Sequence, residues 1–271
     1  MKSSEGSSAS GRFTDGGGES RDEVIDDIGI FAALMSRRQV RVTYALIGLY
    51  IVLFGLCELW GGSDNVLTLV SMGAEVPTLI KQGQWWRLLA ATALHGGLLH
   101  ILLNSYVLYS FGPFLEKLLG WQRFAVLYIV AGLAGTALGT LLGDVVGFQV
   151  SVGASGSLFG LLGAAAVLGF RAMGLPTELV TQLRKGALIN LGLNIVVSLR
   201  PHVDWVAHLG GALAGALLLL LVIRPKLSDG RPTPADRLFT VLAVLCALAL
   251  LGSVVVAIVV GQPWQPTVVS E

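Results

Sequence analysis

Four polar residues stand inside or beside long apolar stretches and have the types that nucleophilic catalysis requires. Ser155 lies in the segment Gly153–Gly156, His208 lies in a later stretch, and an earlier one carries His100 and Asn104. A serine hydroxyl becomes a nucleophile when a base takes its proton, and histidine exchanges protons near neutral pH. These residues predict acyl-transfer chemistry with Ser155 as nucleophile and His208 as general base.

Donors for the charge that develops on the attacked carbonyl can also be named. The glycines around Ser155 weaken the helix there, so Ser155 is expected at a helix start, where backbone N–H groups lack intrahelical acceptors. We expect the N–H groups of Ala154 and Ser155 and the side chains of His100 and Asn104 to hold the oxyanion. The spacing of four places His100 and Asn104 on one helix face. Asn104 is equally suited to hydrogen bonding between transmembrane helices.

The carboxylates and the other histidines favour a dyad over a triad or a metal site. Asp204, four residues before His208, is the one nearby acid, and we expect it at the surface. His95 is expected near the interface, in a structural role or close to substrate. A zinc site built from His95, His100 and His208 is disfavoured, because it has no carboxylate or cysteine partner. The sequence predicts neither a metal nor a cofactor.

The composition identifies the surroundings in which these residues must work. The chain has 271 residues, of which 54% are hydrophobic and 13% charged, and its mean hydropathy is +0.75. Soluble proteins carry about twice that charged fraction. The apolar runs do not alternate in polarity, so they predict an all-α integral membrane protein with seven helical spans. The spans are expected near 42–60, 95–115, 122–142, 152–170, 186–199, 203–223 and 238–260.

Charge and composition predict three parts and an orientation. Residues 1–40 are expected to form a largely disordered tail with a short helix near Val24–Met35, residues 41–223 a six-span core, and 224–271 a linker and a seventh span.

All 18 Lys and Arg fall on the side of the N-terminus except Lys81, Arg87 and Arg200. The positive-inside rule therefore predicts a cytoplasmic N-terminus and an extracytoplasmic C-terminus. The net charge of +1 argues against nucleic acid as a partner.

This topology predicts one shared site. Spans two, four and six run in the same direction, and each carries its polar residues near its start, so these residues are expected at one depth. Ser155 to Arg171 covers only about 24 Å of helix, so residues 144–154 are expected to dip inward and leave a water-accessible cavity. The loop 61–94, with Trp85-Trp86-Arg87, is expected to lie half-embedded and anchored at the interface.

Small residues and one acidic pair predict how the helices pack. Glycines recur at three- and four-residue spacing in spans four and six, which favours close helix contact. They are Gly156, Gly160 and Gly163, followed by Gly211 and Gly215. The second of these faces also carries His208, so it is expected to meet span four. Glu116 and Lys117, where span two ends, are expected to stabilise helix ends.

Four motifs, in this order along the chain, resemble the rhomboid family over residues 41–223. They are Trp86-Arg87, the set His95, His100 and Asn104, the segment Gly153–Gly156, and Ala207–Gly211 with Gly215. The resemblance implies an intramembrane serine protease that cleaves single-span or multi-span membrane proteins near their outer ends by a Ser-His dyad, without a cofactor. It implies that Phe159 stacks beneath the catalytic histidine. It also implies residence in a bilayer, here expected to be a bacterial cell membrane, with the site opening to the extracytoplasmic side.

Two other functions are weighed against this one. A catalytically inactive rhomboid-like protein would bind transmembrane clients, but the presence of both Ser155 and His208 counts against it. A small transporter would need internal repeats and helices broken at the membrane midplane. The two halves of the sequence show no such repeat.

Overall fold

A bundle of α-helices makes up most of the chain. The computed structural model describes residues 33, 35–147, 149–168, 177–198, 203–224 and 232–260, with a few side chains excepted. From residue 42 onward its helices are α1 (Val42–Trp60), α2 (Val66–Ser71), α3 (Pro77–Lys81), α4 (Arg87–Ala90), α5 (Leu98–Leu119), α6 (Trp121–Val146), α7 (Ser155–Val167), α8 (Thr177–Ser198), α9 (Trp205–Leu221) and α10 (Pro234–Val260). Within these ranges, β structure is confined to one bridge between Glu75 and Ser151. The all-α prediction is confirmed.

The helices agree with the seven predicted spans in order but differ in length. Four segments are long and apolar enough to cross a bilayer, namely Met35–Trp60, Leu98–Leu119, Trp121–Gly143 and Pro234–Val260. The apolar helices α7 and α9 are shorter, at 13 and 17 residues. The predicted span 186–199 lies in the second half of α8, which starts at Thr177 and has a polar first half. Several helices therefore cross a bilayer, and the chain is a multi-pass membrane protein.

Some expectations fall on other parts of the chain. The tail helix near Val24–Met35 and most of the linker and the C-terminal segment lie outside the described residues.

Helix α7 lies at the centre of the bundle and contacts α5, α6, α8 and α9. Its contact with α9 depends on glycine. A Cβ built on Gly215 would lie 1.9 Å from the carbonyl oxygen of Gly160, and one on Gly163 would lie 2.2 Å from that of Ala212. The two helix backbones therefore touch, and the predicted packing of spans four and six is confirmed.

Buried charges join the helix ends on one side of the bundle. Both carboxylate oxygens of Glu116, at the end of α5, accept hydrogen bonds from the first turn of α1, including the N–H and hydroxyl of Thr43. At the start of α6, Arg123 donates to Asp236 of α10 at 2.6 Å. The prediction that Glu116 stabilises helix ends is confirmed, and the ion pair attaches the seventh predicted span to the core.

The loop between α1 and α5 is a folded unit of three short helices and a 3₁₀ turn (Ala91–Ala93). Arg87 is 3% exposed and donates to the carbonyl oxygens of Val70 and Ala74 at 2.7 and 2.9 Å. It was expected to form an interfacial anchor with the tryptophans, and for Arg87 that is wrong. Its guanidinium is buried because its donors are satisfied by carbonyl oxygens of its own loop and by Gln84.

Candidate active site

Ser155 and His208 come from two helices that begin side by side. Ser155 is the first residue of α7, as the flanking glycines predict, and His208 lies in the first turn of α9. Nε2 of His208 is 2.8 Å from Oγ of Ser155, which is hydrogen-bonding distance. With His208 neutral and Nε2 unprotonated, this bond points the serine proton at the base.

The imidazole of His208 is held between its serine partner and an aromatic ring. Phe159, one turn after Ser155 on α7, stacks on it with ring centroids 4.2 Å apart and an angle of 11° between the planes. His208 is 8% exposed and Phe159 5% exposed. Such stacking restricts rotation of the imidazole, so its nitrogen stays directed at Ser155.

His100 and Asn104 meet the loop that leads into Ser155. At Gly153 the backbone has φ of +130°, and a Cβ there would lie 2.7 Å from His100 and 3.7 Å from Nδ2 of Asn104. The N–H of Gly96 points at Nδ1 of His100 at 3.4 Å, which leaves Nε2 as its N–H donor. Nδ2 of Asn104 is buried and has no hydrogen-bond partner. Two side-chain donors thus lie beside the segment that carries Ala154 and Ser155.

Two predicted surface positions are buried, and both corrections have a physical cause. His95 is 1% exposed, and its ring lies 4.7 Å from that of Tyr50 and 5.3 Å from that of His100. Its burial follows from packing between α1 and α5, which supply these two rings. Asp204 is 8% exposed because it caps α9, accepting from the N–H of Ala207 at 2.9 Å. The dyad preference is unaffected, because the carboxylate contacts the helix start instead of the imidazole.

Sequence reasoning missed Glu75. It is 1% exposed, pairs with Ser151 through the bridge, and accepts a 2.9 Å hydrogen bond from the hydroxyl of Thr140. The available signal was a lone acid in the apolar segment from 66 to 80. A polar cavity with room for about one water molecule lies between this carboxyl and the nucleophile. Its polar lining residues are Glu75, Thr92, Thr136, Ser151 and Ser155.

Potential metal ligands are scattered in the described part of the chain. No three His, Cys, Asp or Glu side chains come close enough together there to hold an ion. Of the histidines discussed, His95 faces Tyr50 and His208 faces Ser155.

Comparison with known proteins gives this geometry a context. Residues 82–225 match the family model described as "Rhomboid domain". The chain is 38% identical over 197 residues to Rhomboid protease GluP of Bacillus subtilis, covering 72% of this chain and 37% of that protein. It is 40% identical over 172 residues to RHOMBOID-like protein 5 of Arabidopsis thaliana, covering 60% and 52%.

A third relative is shorter, and the match covers more of it. Putative rhomboid protease YdcA of Bacillus subtilis is 35% identical over 150 residues, covering 54% of this chain and 72% of that protein. The chain spans between about a third and a half of the length of the first two relatives. Both Ser155 and His208 lie within the range 82–225 that the family model matches. On this similarity, the chain belongs to the rhomboid family.

Proposed function

We propose that this protein is a serine endopeptidase that hydrolyses peptide bonds of membrane proteins within the bilayer, with Ser155 and His208 as a catalytic dyad. The 2.8 Å contact between Nε2 of His208 and Oγ of Ser155 is the observation that carries the proposal. Two relatives bear the name rhomboid protease, which supports the same reaction class.

The proposed reaction has two halves. Oγ of Ser155 attacks the carbonyl carbon of the scissile bond while His208 takes the hydroxyl proton. The resulting oxyanion is stabilised by the N–H groups of Ala154 and Ser155 and by His100 and Asn104. His208 then gives its proton to the leaving amine, and an acyl ester remains on Ser155.

Hydrolysis of the ester needs a water molecule and the same base. His208 takes a proton from the water as its oxygen attacks the ester carbonyl, and then returns a proton to Oγ of Ser155. The acid product leaves and the enzyme is regenerated. The polar cavity beside Ser155 supports this step, since a bilayer-embedded site needs room for water. Stacking on Phe159 is proposed to keep the imidazole oriented through both halves.

The proposed setting follows from the charge distribution. Residues 41–223 are proposed to form the catalytic core, in a bacterial cell membrane with the N-terminus cytoplasmic and the site open to the extracytoplasmic side. This orientation is supported by the distribution of Lys and Arg, of which Lys81, Arg87 and Arg200 alone fall on the outer side. The proposed substrates are single-span or multi-span membrane proteins.

Fluorophosphonate labelling of the detergent-solubilised protein tests the proposal. We expect label on Ser155 and cleavage of a transmembrane substrate, with both lost in Ser155→Ala and in His208→Ala. The double variant is expected to be no worse than either single one, because nucleophile and base act as one unit. Ser157→Ala is the matched control, since that hydroxyl faces Gly132 on α6 instead of the dyad.

A protein that only binds transmembrane clients would give another result. It would retain a bound client in detergent but show neither labelling nor cleavage. Near wild-type turnover in either dyad variant would contradict the assignment of these two residues.

A further inference from the structure

Two buried carboxyl groups meet beside the active site, and neither takes part in the proposed reaction. Glu75, in the loop before α5, is 1% exposed and Asp204, before α9, is 8% exposed. A Cβ built on Gly139 of α6 would lie 2.9 Å from Oε1 of Glu75 and 2.8 Å from Oδ2 of Asp204. The two carboxyls therefore share the small space that the missing side chain of Gly139 leaves open.

Each carboxyl is attached to a segment that carries one member of the dyad. The backbones of Glu75 and Ser151 exchange two hydrogen bonds of 2.9 Å, and Ser151 stands four residues before Ser155. Asp204 caps α9 and stands four residues before His208. Anything that moves the carboxyls apart therefore moves the serine loop relative to the histidine helix.

The charges in this space are uncompensated. Among the described residues, no Lys, Arg or His forms an ion pair with either carboxyl. Arg87, the buried cation of the same loop, donates instead to Gln84 and to the carbonyl oxygens of Val70 and Ala74. Oε2 of Glu75 and Oδ2 of Asp204 are buried and have no hydrogen-bond partner. The uncharged groups that contact the pair are the Thr140 hydroxyl, Ser151 and the N–H of Ala207.

The surroundings of the pair oppose ionisation of both carboxyls at once. Burial raises the pKa of Glu75 well above its usual value, and the neighbouring Asp204 raises it further, while the Thr140 hydrogen bond acts in the opposite direction. Two carboxylates without a cation in a site of low dielectric do not both ionise readily.

We propose that Glu75 and Asp204 share one proton, and that this proton-linked pair is a positioning device that holds the Ser155 loop against the His208 helix. The proposal rests on the proposed proteolytic function for its consequence, but the shared proton itself does not depend on catalysis. Neither residue touches the reacting atoms, so both are positioning residues.

Loss of the shared proton at high pH is expected to lower both kcat and the stability of the fold. At high pH the second carboxylate forms, the two negative charges repel each other, and the dyad is displaced, so kcat falls while KM changes little. Stability follows the same direction. Because the pKa of Glu75 is raised in the folded state, its contribution to the free energy of unfolding is fully present below the unfolded-state pKa of about 4 to 5 and is lost as pH rises through the folded-state pKa.

Conservative variants separate this proposal from a purely structural role. Glu75→Gln and Asp204→Asn each keep a hydrogen-bonding group of the same shape and remove one charge. We expect kcat within about threefold of wild type at pH 7. In the profile of kcat against pH, the fall on the alkaline side should move to higher pH. Glu75→Ala removes the contact and is expected to lower kcat at least tenfold. Glu58→Gln, an exposed carboxyl on α1, is the matched control and leaves the pH profile unchanged.

A second measurement does not need activity. The infrared carbonyl band of a protonated carboxylic acid should be present near pH 7 in wild type and absent from Glu75→Gln. Wild-type protein that cleaves substrate, lacks this band and has the same alkaline limb as Glu75→Gln would overturn the inference alone. A protein with the band that is not labelled at Ser155 would overturn the proteolytic function and leave the pair standing.

Discussion

Gly211 on α9 faces Gly156 on α7 so closely that a Cβ built on Gly211 would lie 1.9 Å from the Gly156 carbonyl oxygen. Gly156 follows the proposed nucleophile directly, and Gly211 stands three residues after the proposed base. Backbone contact at this point therefore determines how far Oγ of Ser155 lies from Nε2 of His208. Helix packing and dyad geometry are one property of this structure.

Replacement of Gly215 by leucine tests that link one turn further along. The side chain would enter the backbone of Gly160 and force α7 and α9 apart. Overpacking of a filled core costs about 1–3 kcal/mol or more, so we expect a clearly lower Tm in detergent and loss of substrate cleavage. The two effects should appear together in thermal unfolding and cleavage assays.

Gly252→Leu is the control for this variant. Gly252 lies on α10 with an exposed surface, and a Cβ there meets nothing within 4 Å. It should leave Tm and cleavage close to wild type. Equal behaviour of the two leucine variants would mean that the contact of α9 with α7 does not control the site.

Glu116 offers a test of stability away from the site. Its carboxylate accepts from the N–H groups of Arg41, Val42 and Thr43 and from the Thr43 hydroxyl. Each buried donor left without an acceptor costs about 1–3 kcal/mol. Glu116→Ala should therefore lower Tm strongly, and Glu116→Gln less, because one carbonyl oxygen remains. Fluorophosphonate labelling of the folded fraction should persist, and an unchanged Tm in Glu116→Ala would contradict the capping role.

The pairing of Ser155 with His208 could be predicted because several sequence signals agree. Ser155 is flanked by glycines that place it at a helix start, and His208 precedes the glycine pair Gly211 and Gly215. Polar residues are costly in apolar helices and therefore stand out against them. The same contrast indicated that Glu116 stabilises a helix end.

The surroundings of the dyad could not be predicted in the same way. His95 lies against Tyr50 of α1, Asp204 caps α9, and Arg87 donates to carbonyl oxygens of its own loop. Hydropathy carries no information about these contacts. The position of Glu75 beside the site depends on a backbone bridge to Ser151, 76 residues later in the chain. Such contacts between distant segments leave no periodic pattern in the sequence.

Orientation in the membrane is a separate prediction. The distribution of Lys and Arg predicts a cytoplasmic N-terminus and an extracytoplasmic residue 271. Alkaline phosphatase, which is active only outside the bacterial cytoplasm, should be active when fused after Glu271 and inactive when fused after Lys185. An inactive fusion after Glu271 together with an active one after Lys185 would mean that the protein has the opposite orientation. Activity at neither position would mean that the seventh predicted span does not cross the membrane.

Asn104 is the residue for which a catalytic and a packing role are hardest to separate. Its Nδ2 is buried, has no hydrogen-bond partner, and would lie 3.7 Å from a Cβ on Gly153. A donor that is unsatisfied at rest and adjacent to the nucleophile's segment is what an oxyanion site requires. A packing role would instead have given this amide an acceptor on a neighbouring helix.

Asn104→Ala is therefore expected to lower kcat with little change in KM and no fall in Tm. Loss of one such donor costs about a hundred- to thousandfold in rate, and here the loss should be smaller because His100 and the backbone N–H groups share the charge. Labelling at Ser155 should slow but persist. Steady-state kinetics and thermal unfolding on one preparation separate the two roles, since loss of packing lowers Tm without slowing labelling of the folded protein. A stable Asn104→Ala protein with wild-type kcat would exclude this amide from the oxyanion site.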